Sequence, residues 1–125
     1  MLNLDTHIVV HGLSGSLSKR EIELVQNESL AISDIVLWEI TKLIQGNRIA
    51  INVDGAAFKK FLRRLTVFPI TMEIARQSIA LDFRSDPADE IIAATSIVEG
   101  IPLLTRDQKI LGSKLVPFAS VDFDS

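Results

Sequence analysis

Four carboxylates hold the chemical potential of this chain. Asp5 directly follows the short apolar opening Leu2-Asn3-Leu4, Glu39 stands in "SDIVLWEITKLI", Asp89 in "SDPADEIIAATS", and Asp107 just past Thr105. Buried parallel strands usually read as unbroken apolar runs, so an acid that ends the first one asks for company. Glu39 shares a helical stripe with Ile35, Val36 and Leu43, where a carboxylate is costly unless it is paired, hydrogen-bonded or bound to a metal. If the four acids converge, their mutual repulsion is relieved most simply by a divalent cation. With no cysteine and two histidines in the chain, the donors are hard oxygens, suited to Mg²⁺ or Mn²⁺ and not to Zn²⁺. Such a site invites phosphodiester hydrolysis, in which metal polarises the phosphoryl group and supplies hydroxide near neutral pH.

The elements that must position these acids alternate between strand and helix. The apolar runs predict short strands at 2–4 and 30–32, an edge strand or connector at 67–70 limited by Pro69, a strand at 101–105, and a last one at 114–118. Ser18 and Glu21 form a capping box that opens a helix through Ile22 and Val25. Ser33 caps a helix carrying Ile35, Val36, Ile40, Leu43 and Ile44, and Gly46-Asn47 ends it. A further helix is expected over 55–65, with Phe58, Phe61, Leu62 and Leu65 on one face. Another starts at Thr71 or Met72 and carries Ile74, Ala75, Ile79 and Leu81. The last opens at Asp86-Pro87, with Asp89 at its third position, and runs to Glu99-Gly100. Crossover connections of this kind require a mainly parallel sheet. Ligands of such sheets gather beyond the strands' carboxyl ends, where Asp5 and Asp107 both emerge.

Composition sets the bounds. The chain has 125 residues, a 47% hydrophobic fraction, mean hydropathy +0.30 and a net charge of −3. These values fit one folded domain over 1–125 and exclude disorder. No signal peptide or membrane span is legible, so a cytoplasmic location is expected. The acidic balance does not favour nucleic acid, so any such partner needs a local basic patch or a metal. Lys59, Lys60, Arg63 and Arg64, opposite the Phe58–Leu65 stripe, are the best patch, with Lys42 and Arg48 as extensions. Arg106 beside Asp107 can neutralise the acids or touch phosphate. Thr6 and Thr105 are candidates to orient the acids, and Asp86 is first a helix N-cap. His7 and His11, four apart, lack the glutamate of a helical zinc motif and read as structural or surface residues.

Taken in order, "LNLDTH", "LAISDIVLWEITKLIQGNRI" and "DPADEIIAATSIVEGIPLLTRDQKI" resemble the successive motifs of a PIN domain, most closely the small ribonuclease toxins of the VapC type. The resemblance covers nearly the whole chain. It implies a three-layer α/β/α sandwich around a mainly parallel sheet, and Mg²⁺- or Mn²⁺-dependent RNA cleavage with Asp5, Glu39, Asp89 and Asp107 as the acidic centre. It also implies a homodimer and a cognate antitoxin. The chain departs from the family pattern at Glu90, where a basic residue is usual, and at Asn3, where an apolar one is. Two other functions share the same residues. An Asp/Mg²⁺ phosphotransfer protein would need a second acid beside "LDTH" that is missing here. A binding module that kept the fold and lost the chemistry has Glu90 as its only hint.

Overall fold

The computed structural model describes residues 1–120. Four short strands, β1 (Leu2–Leu4), β2 (Leu30–Ser33), β3 (Leu65–Phe68) and β4 (Leu103–Leu104), form one sheet in the order β3-β2-β1-β4. All neighbours are parallel, with Leu2 beside Leu30, Asn3 beside Leu103 and Leu30 beside Leu65. Parallel pairing forces each connection through helices. These are α1 (Thr6–Ser14) and α2 (Lys19–Asn27), then α3 (Ile35–Gln45) and α4 (Ala56–Arg63), then α5 (Met72–Ser78) and α6 (Pro87–Glu99). A single-turn helix, α7 (Gln108–Leu111), follows β4. The expected α/β sandwich with a parallel central sheet is therefore the fold.

Two layers of helices cover the sheet. Side chains of α1, α2 and α4 (Ile8, Val25, Phe61) gather about Leu4 and Leu30 on one side. On the other, α6 packs with α5 and α3. β1 at the centre is wholly buried, and the core joins Leu2, Leu4, Ile32, Val36, Ile40, Ile92 and Leu104 into one cluster. The order of the strands reverses between β1 and β4: the chain moves outward through β2 and β3, then returns to lie on the far side of β1. Such a reversal opens a crevice at the carboxyl edge.

Local capping follows the sequence closely. Ser18 Oγ accepts from the Glu21 amide at 3.2 Å while Glu21 Oε1 accepts from the Ser18 amide at 2.8 Å, completing the capping box. Ser33 Oγ accepts from the Ile35 amide, although Asp34 occupies the cap position itself. Asn47, not Gly46, takes the left-handed backbone after α3, with φ 57°. Gly100 does the same after α6, with φ 67°, where a Cβ would be strained.

Several expectations change. Helix α1 was not legible as a helix, because Ile8-Val9-Val10 is β-branched and follows a strand; Asp5 at its N-cap and Gly15 at its C-cap define it. Leu65 begins β3 and does not end α4, because it pairs with Leu30. Helix α5 stops at Ser78, whose Oγ bonds back to the Ala75 carbonyl at 2.6 Å. Ile79 then turns outward, 79% exposed, and lets Leu81 enter the core. The strand expected at 101–105 contracts to Leu103–Leu104, since Pro102 has no N–H to give and Thr105 turns to the site. The strand expected at 114–118 is reduced to one parallel bridge between Leu103 and Phe118. Pro117 interrupts it, and Asp82 holds the preceding turn by accepting from Ser113 Oγ and the Lys114 amide. Among the described residues no helix is long and apolar enough to cross a membrane.

Asn3 is fully buried at the centre of β1. Its amide donates to the Ile92 carbonyl at 3.1 Å and to Ser96 Oγ at 2.9 Å, tying the sheet to α6. A polar residue replaces the expected apolar one because α6 offers it two acceptors. Asn3→Ala is expected to lower stability by about 2 kcal/mol, through a small cavity and an unpaired Ser96 hydroxyl. Urea unfolding measures this, and a loss below about 0.5 kcal/mol would mean that the tie contributes little.

Candidate functional site

Each acid reaches the carboxyl edge by its own route. Asp5 leaves β1 and caps α1: its Oδ1 accepts from the Thr6 amide at 2.8 Å, and its Oδ2 from Thr105 Oγ1 at 2.6 Å. It is only 2% exposed. Asp107 leaves β4 and caps α7, its Oδ1 accepting from the Lys109 and Ile110 amides at 2.8 and 3.2 Å. Thr105 joins the two acids, since its Oγ1 also accepts from the Asp107 amide at 3.0 Å. Glu39 lies one turn into α3, which starts where β2 ends, and its Oε1 accepts from Thr6 Oγ1.

Asp89 arrives by another route. No strand directly precedes α6. The helix instead leads into the amino end of β4 and runs antiparallel to it, so its first turn returns to the carboxyl edge. There Asp89 Oδ2 accepts from Ser85 Oγ at 2.7 Å. The Ser85 amide in turn donates to Glu90 Oε2 at 3.1 Å. Glu90, where a basic residue is usual, thus anchors the residue that holds Asp89. Neither Ser85 nor this use of Glu90 was foreseen. The only available signal was a serine four residues before Asp89 on a helix-opening loop.

Electrostatics supply the evidence of convergence. Burial pushes the Asp89 carboxyl up to about 6 against the Ser85 hydrogen bond, with further upward pressure from Asp5, Glu39 and Asp107. Burial also raises Asp5, opposed by Thr105, the His7 charge and the Thr6 amide, and assisted by the Asp107 charge. Asp89 therefore lies within the field of the other three acids. Among the described residues, however, no three carboxylates or imidazoles are grouped closely enough to hold a metal ion. One oxygen each of Glu39, Asp89 and Asp107 has no hydrogen-bond donor among the described residues. The donor set is all oxygen, negatively charged and anchored from behind by hydroxyls, which fits Mg²⁺ or Mn²⁺.

The other candidate residues divide. Thr6 and Thr105 hold acids, as described. Asp86 occupies the N-cap position of α6, but its side chain makes no capping bond. It lines a groove with Trp38, Glu39, Lys42 and Arg48. Arg106 is committed elsewhere. Its guanidinium forks onto Glu21, with Nε–Oε2 at 2.9 Å and Nη2–Oε1 at 2.6 Å, and also donates to the Ser16 carbonyl. It is not among the principal charges acting on Asp5 or Asp89, and its side chain stays 41% exposed. Lys59, Lys60, Arg63 and Arg64 are exposed on α4 and its end. That helix runs directly into the amino end of β3, so Arg63 and Arg64 sit at the opposite edge of the sheet from the acids. His7 is exposed and His11 half-buried on α1.

Comparison with known proteins gives a consistent picture. A model of the PIN domain family matches residues 3–112. The chain is 29% identical over 86 residues to Ribonuclease VapC22 of Mycobacterium tuberculosis, covering 66% of each protein. The match therefore spans just under two thirds of that relative's length. Among solved structures, DNA-bound VapBC from Salmonella typhimurium superposes with TM-score 0.73 at 18% identity, covering 94% of this chain and 96% of that one. VapBC2 from Rickettsia felis, bound to a promoter DNA fragment, gives TM-score 0.69 at 20% identity, covering 98% and 100%. At these identities the likeness is one of fold.

The site makes two predictions. Asp89 holds its proton more tightly in the folded chain, near pH 6, than in the unfolded one, near 3.8. In chelator, the contribution of Asp89 to stability should thus be greatest below about pH 4, fall between about pH 4 and 6, and level off above. Asp89→Asn should flatten this fall and raise Tm at pH 7.5 by about 3 °C, a figure discounted because the group is only half-buried. A thermal melt series in which the variant follows the wild-type pH profile would remove Asp89 from the cluster. Conversely, Arg106 holds the Glu21 carboxyl down to about 2. That pair stabilises the fold above about pH 4.5 and ceases to do so as pH falls toward 2. Arg106→Ala should cost about 2 kcal/mol at pH 7, and Arg106→Lys should restore only part, lacking the fork. Full rescue by lysine would reduce the pair to simple charge attraction.

Proposed function

The chain belongs to the PIN domain family, and on that premise we propose that it is a divalent-metal-dependent endoribonuclease and the toxin of a toxin–antitoxin pair. The observation that carries the reading is the chain of hydrogen bonds at the end of β1: Thr105 holds both Asp5 and Asp107, and Thr6, which Asp5 caps, holds Glu39; the charges of these acids help push the Asp89 carboxyl up to about 6. Acids drawn from three crossover units onto one edge weaken the fold, and they find their use when a cation joins them. The relative from M. tuberculosis is a ribonuclease by name, and the solved structures named above are of VapBC assemblies. These support RNA as substrate and an antitoxin as partner; assembly as a homodimer is part of the same proposal and rests on the family resemblance alone. The phosphotransfer alternatives gain nothing from the same matches. The binding-module alternative rested on Glu90, which has a structural task in holding Ser85.

In this reading Asp5, Glu39, Asp89 and Asp107 hold Mg²⁺ or Mn²⁺, which when bound polarises the phosphoryl group and lowers the pKa of water. The protein's own share is positional. Thr105 fixes Asp5 relative to Asp107, Thr6 fixes Glu39 relative to β1, and Ser85 fixes Asp89. Burial, with help from the neighbouring acids, pushes the Asp89 carboxyl up to about 6. Divalent-ion binding must displace the Asp89 proton, so affinity falls as pH drops below about 6.

Asp5→Asn is expected to cut RNA cleavage by about 100-fold or more, and chelation to abolish it. Mn²⁺ calorimetry gives a second readout: the wild type should bind, more weakly at pH 5 than at pH 7, and Asp5→Asn should bind poorly. Cleavage that survives both the substitution and exhaustive chelation would end the proposal.

A further inference from the structure

The chain has one tryptophan, and it is not in the core. Trp38 is 54% exposed, directly precedes Glu39, and lies on α3 beside the acidic edge. An indole left in water forgoes a large hydrophobic gain. It stands between two recesses that share Pro87 and Ala88 as their far wall: one of about 460 Å³ reaching Asp34, and one of about 340 Å³ reaching Glu39, Lys42 and Arg48. Lys42, one turn on along α3, places Nζ 5.6 Å from the indole centroid. That contact restrains the ring and sets an ammonium beside it.

We propose that Trp38 is a stacking platform for an unpaired base of the RNA substrate, with Lys42 and Arg48 neutralising the phosphates that flank it. The proposal rests on the nuclease reading above and adds the form of substrate. Charge complementarity favours this occupant. A polyanion entering an acidic site needs positive charge near the acids; Arg63 and Arg64 at the end of α4 lie at the wrong edge, and Arg106 is paired with Glu21. Lys42 and Arg48 are the cations that line a groove with Glu39. The flat apolar surface between them suits a base's π-face, which any base can offer. Bases inside an A-form duplex are stacked on one another and cannot reach such a ring, so the strand recognised is single or locally splayed.

Since Trp38 is the sole tryptophan, its emission reports on the site directly. The full chain, with Ca²⁺ in place of Mg²⁺, is titrated with a fluorophore-labelled single-stranded RNA octamer and with the same octamer annealed to its complement. The single strand should quench the indole with the same midpoint as the label's anisotropy, and the duplex should leave emission unchanged. Trp38→Leu should weaken single-strand binding roughly 5- to 150-fold at an unchanged melting temperature, and Trp38→Phe should retain most of the affinity. An indole emission indifferent to saturating single strand overturns the proposal. So does a Trp38→Leu chain that binds RNA like the wild type, and if that variant has instead lost a protein partner, the face belongs to protein. These readouts involve no cleavage. A chain that binds unpaired RNA through Trp38 but hydrolyses none defeats the catalytic reading alone, and one that hydrolyses RNA with Trp38 indifferent defeats the stacking platform alone.

Discussion

Repulsion among carboxylates at the carboxyl edge of the sheet is the constraint around which much of this molecule is arranged. An all-parallel sheet delivers every strand end and several helix starts to the same side, and here that side receives Asp5, Glu39, Asp89 and Asp107. The fold offsets part of the cost with the same geometry. Asp5 caps α1, Asp107 caps α7, and Asp89 lies in the first turn of α6. Three of the acids thus lie at the positive ends of helices, and Asp5 and Asp107 also accept from backbone N–H groups. Hydroxyls supply the rest: Thr6, Thr105 and Ser85 each donate to one carboxylate. Even so, the Asp5 and Asp89 carboxyls remain raised. The compensation is incomplete in the protein alone, and the residual strain is electrostatic, so a bound cation relieves it directly.

Such an edge needs rigid backing, and two long-range polar ties provide it. Asn3 joins β1 to α6 across 93 residues of sequence through Ser96, fixing the helix that presents Asp89 against the strand that presents Asp5. Arg106 joins the β4–α7 turn to α2 through Glu21, fixing the approach to Asp107. Glu21 is also the N3 member of the α2 capping box. One carboxylate therefore caps the start of a helix and anchors a loop 85 residues away. Each tie lies directly beside an acid in sequence or in space, which is where a displaced strand end would matter most.

Much of this was legible because local chemistry and global fold agree. The capping box at Ser18-Glu21, the Pro87 start and Gly100 stop of α6, and the strand-helix alternation each have a short-range physical cause. The carboxylates were legible for the opposite reason: an acid at the end of an apolar run or on a packing stripe contradicts its surroundings. What was not legible depends on partners distant in sequence. Helix α1 is β-branched at Ile8-Val9-Val10, and only the buried Asp5 cap and its packing decide for helix. Ile79 fits the α5 periodicity, yet the chain breaks there so that Leu81 can be buried. Arg106 adjoins Asp107 in sequence, but a guanidinium spans several ångströms, and Glu21 on α2 is the better-shaped partner. Adjacency in the chain said nothing of direction.

The redistribution of positive charge follows from that last point. The net charge of −3 requires any polyanion to find cations locally. The cluster most visible in the sequence, on α4, is carried by the topology to the amino edge, because α4 runs straight into β3. The cation closest in sequence to an acid, Arg106, serves as a structural brace. The cations that line the groove with Glu39 are sparser, Lys42 on α3 and Arg48 just past its end, and they come paired with an exposed indole. A site short of cations yet lined with an aromatic face recognises bases more than backbone. Affinity drawn from stacking is less sensitive to salt than affinity drawn from phosphate contacts. On the proposal above, the groove would read splayed nucleotides beside an acidic edge, with cation binding and base stacking supplying the attraction that the net charge of the protein withholds.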